Sequence, residues 1–130
     1  MAAENVLVCV TAQTTSHRLI QKAADIAQEN NLPLLVLAVL GSGPNLLELP
    51  HVAATLDALY ARASHVGAEM TIITDKDPQK AISGFVSKRH VTHLVMGQGN
   101  GSPNSLQNRL MRELPKVNFH TFDANQLPDA

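Results

Sequence analysis

Two short apolar runs constrain the fold of this chain more than any other feature. Residues 5–11 (NVLVCVT) and 34–40 (LLVLAVL) are almost wholly apolar and do not alternate with polar positions. This pattern is typical of strands covered on both faces, as in parallel sheets. The segment between them has the spacing of an amphipathic helix, with Thr14, Thr15 or Ser16 as its N-cap. Its apolar face comprises Leu19, Ile20, Ala23, Ile26 and Ala27. A strand–helix–strand unit is therefore predicted.

The rest of the chain continues this alternation. Residues 69–74, 92–96 and 117–122 predict three more strands, the last an edge strand because it mixes polar and apolar positions. Residues 41–50 contain two glycines and two prolines, and predict a loop or an irregular first helical turn. Three further helices are predicted from their apolar faces. The first has Val52, Leu56, Leu59, Tyr60, Ala63 and Val66 and ends at Gly67. The second has Ala81, Ile82, Phe85 and Val86, and the third has Leu106, Leu110, Met111 and Leu114. Together these elements predict an α/β fold with a single open parallel five-stranded sheet and helices on both faces.

Length and composition set the class of protein. A chain of 130 residues has room for one domain, and we expect residues 4–123 to be its ordered part. A net charge of −1 and an aromatic share of 3% disfavour nucleic-acid binding. No apolar run is long enough to span a membrane, so we expect a soluble, cytoplasmic protein without membrane contact. The lone Cys9 lies in an apolar run and predicts a buried, unreactive thiol.

The carboxyl ends of the predicted strands are the expected place for a ligand, because open parallel sheets bind ligands where the strand order reverses. Residues 97–105 (GQGNGSPNS) follow the fourth strand and contain three glycines before a helix begins. Glycines allow close backbone approach, and Asn104 or Ser105 can cap the helix so that its first N–H groups face an anion. The segment therefore predicts a phosphate site without Lys or Arg. A glycine-rich connection with an ordinary N-cap explains the same residues equally well.

Other polar clusters give little support for catalysis or a metal site. His90 and His93 are close in sequence but have no carboxylate or Cys at ligand spacing. His17 lies near the start of the first helix, where it either contacts a phosphate or is simply exposed. Asp75 and Asp77 precede a helix and predict caps rather than a catalytic acid pair. Neither a G-x-S-x-G nucleophile motif nor a Walker sequence occurs, so hydrolase and P-loop chemistry have no support.

Taken in order, these segments resemble the universal stress protein family. Residues 5–11 and 16–39 look like the opening strand, helix and second strand of that family. Residues 67–97 are similar to its third strand through its fourth, and residues 104–120 to its last helix and strand. The likeness is greatest to the universal-stress-protein-like domain of Kdp-type potassium sensor kinases. It implies the strand order 3-2-1-4-5 and a nucleotide site.

The resemblance also indicates which residues would form that site. Family members that bind ATP carry G-x2-G-x9-G-[ST] after the fourth strand. Here Gly97 matches the first glycine, Asn100 stands in place of the second, and Asn104 and Ser105 replace the final pair in a shorter loop. The first strand lacks the family's acidic residue at its end, and the adenine contact is expected near the end of the second strand. The remaining expected site residues are Gly99, Gly101, Ser102, Thr11, Ala12, Gln13 and Val39.

The function implied by the resemblance is that of a non-catalytic regulatory or sensor domain in stress or in potassium and osmotic signalling. Its ligand would be ATP, AMP or cyclic di-AMP, with no cofactor required, and the departures from the motif weigh against ATP. A homodimer and a signalling protein partner are also implied. The alternative is a ligand-free dimerisation or protein-interaction module with a degenerate nucleotide site. In it, the last helix and the edge strand with Val117, Phe119 and Phe122 pair with a second copy or with a signalling partner. An enzyme has no signature in this sequence.

Overall fold

The computed structural model describes residues 4–10, 16–40, 50–97 and 105–123. Strands and helices alternate throughout these ranges. The strands are β1 (Asn5–Val10), β2 (Leu34–Leu40), β3 (Glu69–Thr74), β4 (Val91–Gly97) and β5 (Asn118–Phe122). The helices are α1 (Ser16–Glu29), α2 (Pro50–His65), α3 (Pro78–Arg89) and α4 (Leu106–Glu113). Each predicted strand and helix is thus confirmed, with boundaries that differ by a few residues at most.

The five strands form one parallel sheet in the order β3-β2-β1-β4-β5, which confirms the predicted topology. Strand β1 is central: Val8 pairs with Val36 of β2 on one side and with Val95 of β4 on the other. Strands β3 and β5 are the two edges. The chain therefore builds the sheet outwards from β1 in one direction, and then returns to the other side of β1 to add β4 and β5.

Each face of the sheet carries its own apolar cluster, because successive side chains of a strand point to opposite faces. In β1, Val6, Val8 and Val10 join the cluster covered by α1 and α2, whereas Leu7 joins the cluster covered by α3 and α4. All five residues predicted for the apolar face of α1 are buried in the first of these clusters. Burial on both faces explains why β1 and β2 are almost entirely apolar.

Local side-chain chemistry sets the ends of several helices. Asp77 is the N-cap of α3, because its carboxylate accepts the backbone N–H of Lys80 at 3.2 Å. Asp75 accepts the N–H of Asp77 at 2.9 Å, so both acids are turn and cap residues, as predicted. Gly67, after α2, has a φ of +75°, which confirms the predicted left-handed residue at the end of that helix.

Two apolar residues lie elsewhere than their helical spacing predicts. Tyr60 of α2 is 60% exposed and Met111 of α4 is 42% exposed, so neither belongs to the buried face of its helix. Each follows a residue that is buried, Leu59 in α2 and Leu110 in α4. The reason is that the sheet and the adjoining helix cover only a narrow stripe of each helix, and the next position around the helix already meets solvent.

No helix among the described ranges is both long enough and apolar enough to cross a membrane.

Candidate functional site

The carboxyl ends of β1 and β4 lie side by side at the same level. Val8 pairs with Val95, and each strand continues for two residues beyond this pair, to Val10 and Gly97. From β1 the chain proceeds to α1, which packs on one face of the sheet, and from β4 it proceeds to α4, which packs on the other. The chain thus leaves two adjacent strands in opposite directions, which is the arrangement that opens a ligand crevice in a parallel sheet.

Ser105 starts the helix on the β4 side of this crevice. It has an extended conformation, with a φ of −63° and a ψ of 155°, and its Oγ accepts the backbone N–H of Asn108 at 3.3 Å. Its carbonyl accepts the N–H of Arg109 at 3.0 Å, the first bond of the α-helical ladder. The N-cap role predicted for Ser105 is therefore confirmed. Because the hydroxyl oxygen is the acceptor in this cap, the hydroxyl hydrogen can still be donated to a ligand.

Gly97 and Val39 occupy the ends of β4 and β2. Gly97 is exposed, and a Cβ built on it meets no described atom within 4 Å. Its φ lies outside the left-handed region, so neither backbone strain nor packing among the described residues requires glycine here. Val39 is half-buried one residue before the end of β2 and packs against the α3/α4 cluster. Both therefore lie at the carboxyl edge of the sheet, on strands that flank β1.

The other predicted site residues fall outside the described ranges. They are Thr11, Ala12, Gln13, Gly99, Asn100, Gly101, Ser102 and Asn104.

Two arginines at the starts of α1 and α4 were not predicted as site residues. Arg18 lies in the first turn of α1 and Arg109 in that of α4, and neither helix has an acidic residue in its first turn. The Nε atoms of both arginines are buried and have no hydrogen-bond partner among the described residues. A cation at a helix N-terminus faces the positive end of the helix dipole, which is unfavourable unless an anion is close by. The sequence signal that could have identified them is a basic residue in the first turn of a predicted helix. The predicted loop has no basic residue, so the positive charge of a phosphate site had to come from outside it.

His90 and His93, which are close in sequence, lie in different surroundings in the structure. His90 is exposed and ends α3 in the left-handed conformation, with a φ of 55°. His93 instead meets His120 of β5, with its Nδ1 3.1 Å from the Nε2 of His120 and the ring centroids 5.3 Å apart. Partial burial lowers the pKa of His120, and the nearby His93 lowers it further, to a smaller degree. In the described part of the chain, no three His, Cys, Asp or Glu side chains cluster so as to hold a metal.

Cys9 lies on the α3/α4 side of β1, among the residues packed against that cluster. The residue keeps some exposure, so it is less completely enclosed than predicted. The thiol itself is poorly solvated, and burial raises its pKa to about 12. At neutral pH the sulfur is therefore protonated and a poor nucleophile, in agreement with the predicted inert role.

The three apolar residues expected to form an interaction surface at the edge strand do not share a face. Val117 and Phe119 pack against the α3/α4 cluster, whereas Phe122 packs against the α1/α2 cluster beneath the ammonium of Lys22. Each is half-buried rather than fully exposed. The position of β5 at the sheet edge is as predicted, but these side chains contribute to the two cores of the molecule instead of to one outward patch.

A groove of about 440 Å³ lies at the amino ends of the strands, whereas Gly97 is at the carboxyl ends. It is bordered by the end of α1, by Pro33 and Leu34 at the start of β2, and by Val66 and Gly67 after α2. It is therefore separate from the crevice between β1 and β4.

Comparison with known proteins agrees with this architecture. The model of the Universal stress protein family matches residues 3–111. No curated protein sequence matches the chain. Among solved structures, a member of the universal stress protein family from Burkholderia pseudomallei is 17% identical, with a TM-score of 0.67 over 90% of this chain and 93% of that one.

Two further solved structures are named with a nucleotide. A universal stress protein in complex with cAMP is 19% identical, with a TM-score of 0.66 over 95% of this chain and 99% of that one. The universal stress protein from Archaeoglobus fulgidus in complex with dAMP is 19% identical, with a TM-score of 0.64 over 98% of this chain and 100% of that one. At these identities the structures establish a common fold. Since the family model spans most of the sequence, the chain belongs to the universal stress protein family.

Proposed function

We propose that this protein binds an adenine nucleotide in the crevice between the carboxyl ends of β1 and β4 and acts as a non-catalytic regulatory domain. The observation that carries the proposal is the capped start of α4 at Ser105, next to two strands that end level with each other at the point where the chain changes direction. Relatives of the same fold are named as complexes with cAMP and dAMP. The shared part of these ligands is an adenine nucleoside bearing one phosphate group.

The phosphate is assigned to the start of α4. The positive end of the helix dipole and the hydroxyl hydrogen of Ser105 both favour an anion there. Arg18 and Arg109 supply the positive charge that the glycine-rich segment lacks, and an anion would satisfy the buried Nε atoms that have no partner among the described residues. In the proposal, Asn100, Ser102 and the neighbouring residues of segment 98–104 complete the phosphate site.

The nucleoside is assigned to the β1 and β2 side of the crevice. Val39 supplies an apolar contact at the end of β2, and residues 11–13 follow directly after β1. Gly97 leaves open space at the end of β4, since a Cβ there would meet no described atom within 4 Å. That space suits a ligand atom that approaches the backbone closely.

The biological role is proposed from the sequence resemblance. The sequence resemblance to Kdp-type sensor kinases favours a role in potassium or osmotic signalling, with cyclic di-AMP as a candidate ligand besides ATP and AMP. We place the protein in the cytoplasm as a homodimer that passes the state of its nucleotide site to a signalling protein. Light scattering of the purified chain, with and without nucleotide, tests the dimer directly.

The experiment that tests the nucleotide site exchanges two helix caps. Ser105→Asp keeps a good N-cap at α4, because Asp caps helices as well as Ser does, but it places a negative charge where the phosphate should bind. We expect calorimetry with ATP, AMP, cAMP and cyclic di-AMP to detect at least one ligand, and Ser105→Asp to weaken its binding about tenfold or more. The unfolding midpoint without ligand should stay close to that of the unmodified protein.

The matched control is Asp77→Ser, the reverse exchange at the cap of α3. This variant should bind nucleotide as the unmodified protein does. Likewise Arg109→Gln should weaken binding, and Arg112→Gln, in the last turn of the same helix, should not. If no nucleotide binds, the proposed function is wrong and the ligand-free interaction module is favoured. If nucleotide binds equally well to Ser105→Asp, the site is misplaced.

A further inference from the structure

The pair formed by His93 and His120 is held in place by the sheet and not by a loop. His93 pairs in register with Asn118, and His120 with Val95, so the two histidines lie diagonally across neighbouring parallel strands. They lie on the face covered by α1 and α2, because Val95 and Phe122, two residues further along each strand, pack in that cluster. Backbone ladder bonds thus fix the relative position of the two Cα atoms from which the imidazoles project.

The contact between the rings brings two potential metal ligands together. His93 Nδ1 and His120 Nε2 are 3.1 Å apart, with the ring planes inclined by 25°. One proton is enough to join these nitrogens, so at least one of them offers its lone pair to the other. A cation about 2.05 Å from each nitrogen, as in zinc–imidazole bonds, would make an N–metal–N angle of roughly 100° at this separation. That angle lies between the octahedral and the tetrahedral values, so the separation of the two nitrogens is compatible with one metal ion bound to both once the rings turn their lone pairs towards it.

From this geometry we propose that His93 and His120 form a two-histidine binding site for a late first-row divalent cation, of the class of Cu²⁺, Ni²⁺ and Zn²⁺. Imidazole nitrogen is a preferred ligand of these ions, whereas Mg²⁺ and Ca²⁺ prefer oxygen ligands, and no third His, Cys, Asp or Glu of the described residues clusters with the pair. Both histidines are half-buried, which leaves one side of the site open to water. In the proposal, the two imidazoles bind the ion and water completes its coordination, so the ion is exchangeable.

The site is separate from the proposed nucleotide crevice. His93 lies four residues before the end of β4 and His120 two residues before the end of β5, so both are set back from the carboxyl ends of their strands. His120 also belongs to the edge strand, whereas the crevice lies between β1 and β4. The proposal therefore stands or falls independently of nucleotide binding.

The test is a titration of the full chain with Cu²⁺, Ni²⁺ and Zn²⁺ in a buffer that does not bind metals, followed by calorimetry. We expect one ion per chain, with Cu²⁺ bound most tightly. His93→Gln and His120→Gln should each weaken binding about tenfold or more, and the double variant should be little worse than either single one, because one remaining imidazole no longer forms the site. His90→Gln, which removes an exposed histidine three positions away, is the matched control and should bind as the unmodified protein does.

A second measurement does not depend on the variants folding. Zn²⁺ added to the unmodified protein should shift the NMR signals of the His93 and His120 rings together, at the same metal concentration, and leave those of His90 in place. The proposal is overturned if His120→Gln is folded and binds as tightly as the unmodified chain. It is equally overturned if the ring signals of the pair stay unchanged while metal binds elsewhere.

Discussion

The side chain of Asn5 donates a hydrogen bond of 2.6 Å from its Nδ2 to the carbonyl of Arg89, so the first residue of β1 holds the last residue of α3. The last carbonyls of a helix have no partner within the helix, and this one is part-buried. Asn5→Ala should therefore lower the free energy of unfolding by about 1–3 kcal/mol, as measured by urea denaturation. Asn30→Ala removes an amide that donates to the Ile26 carbonyl at 2.8 Å, and it should cost less because the same carbonyl also accepts the backbone N–H of Asn30 at 3.1 Å. Equal losses would contradict the prediction.

Gly84 in α3 and Gly67 after α2 should change stability in opposite directions when replaced by alanine. Gly84 lies within α3, is exposed, and has no atom within 4 Å of a built Cβ, so Gly84→Ala should raise the free energy of unfolding by about 1 kcal/mol. Gly67 has a φ of +75°, and Gly67→Ala should lower it by about 1–2 kcal/mol although space is available. Urea denaturation of both variants checks the signs. A gain at Gly67 would show that its left-handed conformation is dispensable.

The stability of the protein should depend strongly on Leu110 of α4 and little on its neighbour Met111. Leu110 is fully buried, whereas Met111 is 42% exposed. Leu110→Ala should cost about 2–5 kcal/mol because it leaves a cavity in the α3/α4 cluster. Met111→Ala should change stability by no more than about 0.5 kcal/mol. Thermal and urea unfolding distinguish the two, and similar losses would mean that the apolar face of α4 is wider than described.

The thiol of Cys9 should resist alkylation in the native protein. Burial raises its pKa to about 12 from 9.0, which reduces the reactive thiolate about a thousandfold at mildly alkaline pH. Iodoacetamide followed by mass spectrometry should show an unmodified native chain and a chain alkylated once after unfolding in urea. Rapid modification without urea would show that the sulfur is well solvated.

The ion pair between Glu69 and Arg89 should contribute a little to the stability of the fold, by an amount that depends on pH. Their closest atoms are 2.8 Å apart, and the hydrogen bond and charge of Arg89 lower the pKa of Glu69. A lowered carboxyl pKa stabilises the fold above its unfolded value, and this contribution is lost as the pH falls through the folded value. The stability difference between the unmodified protein and Glu69→Gln should thus be present at neutral pH and absent in acid. Added salt should also reduce it, and a difference that persists in acid would exclude the charge as its cause.

The strands, the helices and the parallel sheet were open to prediction because the chain carries strong local signals, whereas the strand order was implied by the resemblance to the universal stress protein family. Strands buried on both faces need nearly continuous apolar runs, as in β1 and β2, and each helix ends near a cap or turn residue such as Asp77 or Gly67. Local patterns do not reveal how wide a stripe of a helix its neighbours cover. For that reason Tyr60 and Met111 were wrongly expected to be buried.

The candidate site was predictable only in outline. Ser105 could be identified as a cap from its position before an apolar helical pattern, and the structure confirms it. The meeting of His93 and His120 depends on the register between β4 and β5, and the two residues are 27 positions apart in sequence. No local pattern fixes such a register. The partnerless Nε atoms of Arg18 and Arg109 similarly depend on how the first turns of two helices pack, which composition does not reveal.

The position of segment 98–104, between the end of β4 and the start of α4, has a consequence for how such a protein changes over evolution. Segment 98–104 joins Gly97, the last residue of β4, to Ser105, the cap of α4, and Met96 and Leu110 hold these two elements in the α3/α4 cluster. On the proposed function, we expect exchanges within that segment to alter ligand choice at little cost to folding. Grafting the longer loop of an ATP-binding relative between Gly97 and Ser105 should then change the nucleotide specificity on this sheet.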